Sequence, residues 1–141
     1  MPVFTPPSRK ELKRAVDDVT LEGNPSVLSS MLHGPIDNWD VSEVTDMSRL
    51  FSKKFSFNYE LSNWDVSRVA DMSGMFNHAY NFNQDLSKWD VSRVTRMVGM
   101  FSHALSFNQD LSEWDVSRVT DMVAMFRFAL NFNQDLSKWD V

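Results

Sequence analysis

The chain has no cysteine among its 141 residues, which excludes disulfide bridges, thiolate metal sites and thiol nucleophiles. Glycine is scarce, at four residues, so a glycine-rich phosphate loop cannot be built. Cations are outnumbered 14 to 19, for a net charge of −5. Phosphate backbones and anionic membranes call for a basic face, so nucleic acid is not an expected partner. No apolar run approaches the roughly 18 residues of a membrane span, so no transmembrane segment is expected. Met1–Lys10 has no apolar signal-peptide core. What is present, 43% apolar and 23% charged residues, is the composition of a globular domain with its own core.

The five tryptophans, Trp39, Trp64, Trp89, Trp114 and Trp139, recur with a constant 25-residue period. Aligned on them, the chain divides without a gap into four full units and the stub Trp139-Asp140-Val141. A self-similar period of this length is the mark of stacked repeats. Within the unit that begins at Leu86, Trp89 and Val91 alternate with Lys88, Asp90 and Ser92, which predicts a short strand. Val94, Met97, Met100, Phe101 and Ala104 then recur at three- and four-residue spacing, which predicts an amphipathic helix. Phe107 should return to the core from a turn. The expected fold class is therefore α/β: a leucine-rich-repeat-like solenoid with a short parallel strand and a helix in each 25-residue unit. Residues 1–35 differ from the units. Ser8 and Glu11 form a capping box ahead of Leu12, Ala15, Val16 and Val19, and Ser26 to Leu32 suits a second short helix. The domain reading is a helical N-terminal cap over 1–35, then a continuous repeat array over 36–141. At Val141 the sequence stops inside a predicted strand, an uncapped edge from which end-to-end self-association is expected.

The segments W-D-V-S-x-V-T-D-M-x-x-M-F and F-N-Q-D-L-S-x, with the lead-in Gly34-Pro35-Ile36-Asp37-Asn38-Trp39-Asp40, resemble the 25/26-residue repeats of BspA-like bacterial surface proteins and Mycoplasma lipoproteins. The likeness covers about residues 9–141. It implies a leucine-rich-repeat-related fold, an extracellular or cell-surface location, and a role in adhesion or recognition.

The tryptophan row could stack against sugars, but its register with Leu and Val puts it in the core. Three carboxylate columns recur: Asp40/65/90/115/140, Asp46/71/121 with Arg96 intruding, and Glu60/Asp85/Asp110/Asp135. Such rows can bind Ca²⁺, yet the scarcity of glycine argues instead for a charge ladder with Arg68, Arg93 and Arg118. The column Asn58/83/108/133 suits a buried ladder that satisfies turn backbone. His78 and His103 occupy equivalent positions, so they read as a repeated surface residue rather than a catalytic pair. No catalytic, cofactor or metal residue is assigned. Two candidate contact surfaces remain. One is a strand face of Asp65, Arg68, Lys88, Asp90, Arg93, Glu113, Asp115 and Arg118. The other is a variable helix surface of Lys53, His78, His103 and Phe128. The function expected is a non-enzymatic repeat domain for protein–protein recognition or adhesion, with an unknown protein partner and no cofactor. The alternatives are a structural spacer within a longer array and a Ca²⁺-dependent or glycan-binding module.

Overall fold

A computed structural model describes residues 2–20 and 31–141. One α-helix, α1 (Arg9–Val19), precedes a short 3-10 turn, Ile36–Asn38, and then a stack of coils, one for each repeat of the sequence. Ser8 caps α1 by accepting a hydrogen bond from the Glu11 amide at 3.2 Å. Leu12, Ala15 and Val16 are its buried face, as the apolar spacing predicts. Of the second helix expected over Ser26–Leu32, all but residues 31 and 32 lie outside the described residues, and 31–33 are helical.

The α/β expectation is overturned. Among the described residues there is no β-strand and no sheet, and no unit contains an α-helix. The segment read as a strand is two consecutive turns. The Trp89 amide donates to the Leu86 carbonyl at 3.1 Å, and the Val94 amide to the Val91 carbonyl at 2.9 Å. Trp89 and Val91 are buried, so the alternation does mark an inside and an outside. The amides, however, are used within the turns rather than in a ladder.

The segment read as a helix is a run of overlapping turns. Amides of Met100, Ser102 and Ala104 donate three residues back, to Met97, Gly99 and Phe101. The amides between them leave the coil altogether. Those of Met97, Gly99, Phe101 and His103 donate to carbonyls of Asp121, Val123, Met125 and Arg127 in the next unit, at 2.7–2.9 Å. Gly99 and His103 have φ of 58° and 59°, in the left-handed region that an α-helix cannot contain. A three-residue turn and an α-helix both return a side chain to the same face after three or four positions, so the apolar stripe fits either. Between units, Asp46, Asp71, Arg96 and Asp121 meet only in single parallel bridges.

Side-chain columns fill the interior. Phe51, Phe76, Phe101 and Phe126 stack at 5.4–5.6 Å between centroids. Phe57, Phe82, Phe107 and Phe132 form a second row beside them, with Phe76 and Phe82 4.0 Å apart. The first four tryptophans are 3–4% exposed. Each ring nitrogen from Trp64 onward donates to a carbonyl 28 residues earlier: Ile36, Leu61, Leu86 and Leu111, at 2.7–3.0 Å. The indole thereby buries a large apolar surface and satisfies a backbone acceptor of the preceding coil. Trp39 has no coil before it among the described residues, and donates to His33 and Gly34 carbonyls instead.

The N-terminal segment closes that end. Arg9 donates through Nη2 to the Ser48 carbonyl and hydroxyl, and pairs with Asp46 at 3.1 Å. Lys54 reaches Asp17 of α1 at 2.8 Å. Arg9 thus donates to the Ser48 carbonyl at the position where, one unit later, the Arg49 amide donates to the Ser73 carbonyl. At the other end, the edge expected to be a strand is a row of alternate amides: Met122, Ala124, Phe126 and Phe128 find no acceptor among the described residues. Met122, Met125, Phe126, Leu136 and Trp139 line a hollow there.

Three substitutions test this architecture by urea unfolding. Trp89→Phe keeps an aromatic ring but removes the indole donor, leaving the Leu61 carbonyl with the Trp64 amide alone, and should cost about 1 kcal/mol for the lost hydrogen bond. Ala124, exposed and at φ 57°, should be stabilised by about 1 kcal/mol on replacement with glycine. The reverse change Gly99→Ala should cost a similar amount, since a Cβ there meets only Ser102 Cβ at 3.7 Å. An unchanged midpoint in both of these last variants would contradict the left-handed turns.

Candidate functional site

The carboxylate columns are occupied by their own turns. Amides of Ser42, Ser67, Ser92 and Ser117 donate to Asp40, Asp65, Asp90 and Asp115 at 3.0–3.1 Å. Ser87, Ser112 and Ser137 do the same to Asp85, Asp110 and Asp135, and Ser48, Ser73 and Val123 to Asp46, Asp71 and Asp121. Each is an aspartate receiving the amide two residues on, the Asx-turn arrangement. The expected Asp–Arg ladder therefore does not form in that first column. Arg68 pairs with Glu43 of the preceding coil, and Lys138 with Glu113. Lys88, Arg93 and Arg118 are exposed and make no ion pair among the described residues. The face assigned to Asp65, Arg68, Lys88, Asp90, Arg93, Glu113, Asp115 and Arg118 is thus a set of turns with scattered charges, not a strand surface.

The asparagine column does bridge coils. Amides of Asn83, Asn108 and Asn133 donate to side-chain oxygens of Asn58, Asn83 and Asn108 at 2.8–3.0 Å. Gln84, Gln109 and Gln134 add amide-nitrogen bonds to the same residues. This ladder is at the surface, where Asn58, Asn83 and Asn133 are exposed, rather than buried as expected.

The variable column, Lys53, His78, His103 and Phe128, lies on the run of turns and not on a helix. All four residues have left-handed backbone, φ 57–61°. The His78 and His103 rings stack at 4.2 Å with 9° between planes, and Phe128 lies 4.8 Å from His103. Asn77 Oδ1 is 2.6 Å from His78 Nδ1, and the Ser102 hydroxyl is 3.0 Å from His103 Nδ1. Burial, the neighbouring His103 and Lys53 hold the His78 imidazole below its ordinary 6.5. A second column, Arg49, Gly74, Gly99 and Ala124, shares the left-handed backbone at φ 56–62°. Between the two columns runs a groove of about 540 Å³, with Arg49, Lys53, Arg96 and Arg127 along it.

Sequence reasoning missed Arg9 as the closing residue, and it missed the backbone of the variable column. The second had a signal. Gly74 and Gly99 recur at one repeat position in the middle of the supposed helix, where glycine is unfavourable and positive φ is the usual reason for it.

A family model described as "Mycoplasma protein of unknown function, DUF285" matches residues 25–139. No curated protein and no solved structure matches the chain.

Both kinds of titrating group predict loss of stability in acid. The depressed His78 binds its proton less readily when folded, so stability should decline as pH falls below about 6.5. Serine hydrogen bonds hold Asp40, Asp65, Asp85, Asp110, Asp115 and Asp135 below the ordinary 3.8. Their contribution is present above 3.8 and is lost as pH falls through the lower folded-state values. Urea midpoints measured across pH should show both declines, the first reduced in His78→Gln. A stability that rises from about pH 7 to pH 5.5 would contradict the histidine placement.

Proposed function

Because the chain belongs to DUF285, a family of Mycoplasma proteins of unknown function, we propose a role from its surface: a non-enzymatic, BspA-like repeat module. Extracellular or at the cell surface, it recognises or adheres to a protein partner through the turn face that carries Lys53, His78, His103 and Phe128. One observation carries the reading. At these four positions the backbone is left-handed, where glycine or asparagine is relaxed and other residues are strained by roughly 1 kcal/mol each. The neighbouring column uses glycine at Gly74 and Gly99 for the same geometry. The variable column uses glycine in no coil and instead displays two imidazoles, an ammonium and a phenyl ring. Strain held at a surface, with no gain in core packing for the exposed Lys53 and Phe128, is what selection for contact leaves behind.

The Ca²⁺ reading has less support. Ten aspartates of the acid columns that suggested it each accept an amide of their own turn, which accounts for their recurrence without a cation. The pairing of Arg68 with Glu43 and Lys138 with Glu113 removes part of the other candidate face in the same way.

Lys53→Gly tests the proposal. Relief of the left-handed strain, less the greater freedom of glycine in the unfolded chain, should raise stability by up to about 1 kcal/mol in urea unfolding. If Lys53→Gly and Phe128→Gly both lower stability, these side chains serve the fold, and the recognition reading falls.

A further inference from the structure

We propose that the groove between the two left-handed columns docks an extended acidic segment of a partner protein, whose carboxylates pair with Arg49, Lys53 and Arg127. The inference rests on the recognition reading above and adds the chemistry of the ligand. On a chain of net charge −5, the groove is lined by four cations, Arg49, Lys53, Arg96 and Arg127, and by no carboxylate. Arg96 holds Asp71 at 3.9 Å, while the other three make no ion pair among the described residues. A single-sign cleft on a body of the opposite sign concentrates ligands of complementary charge.

The shape of the groove has a local cause. Gly74 and Gly99 bring no side chain to its floor, and a Cβ on Gly99 would meet only the Ser102 Cβ at 3.7 Å. Ser73 Oγ, also on the lining, has no hydrogen-bond partner among the described residues. In the first three coils the alternate amides along the groove, those of Arg49, Lys53, Gly74, His78, Gly99 and His103, are already bonded to the next coil, so a ligand that crosses these coils cannot be held by adding a strand. Recognition falls to side chains.

The occupant is polypeptide rather than sulfated polysaccharide because the fourth coil adds apolar groups beside the cations. Val123 is 70% exposed and Phe128 52%. A sulfated glycan can lay a sugar face on the Phe128 ring but has no apolar side chain for Val123, whereas an acidic peptide with apolar residues interspersed covers both. The coils step by 5.4–5.6 Å, judged by their stacked phenylalanines. About five or six extended residues therefore cross the four coils.

The experiment is fluorescence anisotropy on the full chain with a labelled peptide of about eight alternating Glu and Leu residues, long enough to span the groove. The same pattern with Lys for Glu is the control, and heparin is the alternative ligand. Saturable binding of the Glu peptide alone is expected, weakened about tenfold or more by Lys53→Glu with Arg127→Glu and by raised salt. Lys53→Gln with Arg127→Gln serves if the charge reversal disturbs folding. Absence of saturable binding, or binding unaltered in folded variants, overturns the proposal. So does binding of heparin without the peptide, which would make the groove a polysaccharide site. Failure here combined with a stabilising Lys53→Gly overturns the ligand class alone, while a destabilising Lys53→Gly removes the recognition reading beneath it.

Discussion

Everything in the coil stack depends on how one run of amides is divided. Along residues 72–79, alternate N–H groups bond within the coil and to the next one. An α-helix would keep all of them, and a strand would give every second one to each neighbour. Division between a turn and a neighbouring coil makes the coil narrow enough for one repeat unit to close around two phenylalanine rows. It also demands positive φ at two positions per unit, and those positions become the two columns that border the groove. Core, groove and surface display thus share one backbone cause.

That division also explains which parts of the molecule were legible in the sequence. Trp89, Val91, Met97, Met100, Phe101 and Phe107 announce their burial through spacing, and all are buried. Ser8, Glu11 and Leu12 announce α1 through capping and periodicity, and the helix is there. Spacing reports which side a residue faces, however, and not which acceptor its amide finds. The same apolar stripe is compatible with an α-helix and with overlapping turns, so the element type was misread where the face was not. Gly74 and Gly99 held the information that separates the two. For the candidate site, the column Lys53/His78/His103/Phe128 was visible as variation, but its strained backbone was not. Arg9 was invisible because its partner, the Ser48 carbonyl, is a backbone group 39 residues away.

The acid columns show how repetition can mislead about chemistry. A row of carboxylates in register suggests a metal or a charge ladder when it is read across coils. Read along the chain, each Asp stands two residues before the amide it accepts, at Ser67, Ser92 and Ser117 among others. The repeat duplicates a local turn device, and the row is its by-product.

The bonds between coils run in two directions. On the groove side, amides of one coil donate forward, as Met72 does to Arg96. On the other sides they donate backward: Thr95 to Ala70, Asn108 to Asn83, and the Trp114 indole to Leu86. The two sets oppose each other as dipoles, so lengthening the stack does not build up a field along its axis as it would in a helix. They also act as a two-sided key. A coil slipped by one residue against its neighbour takes both sets out of register at once. Length in this architecture is therefore quantised: a whole repeat unit can be gained or lost with both sets of bonds kept in register.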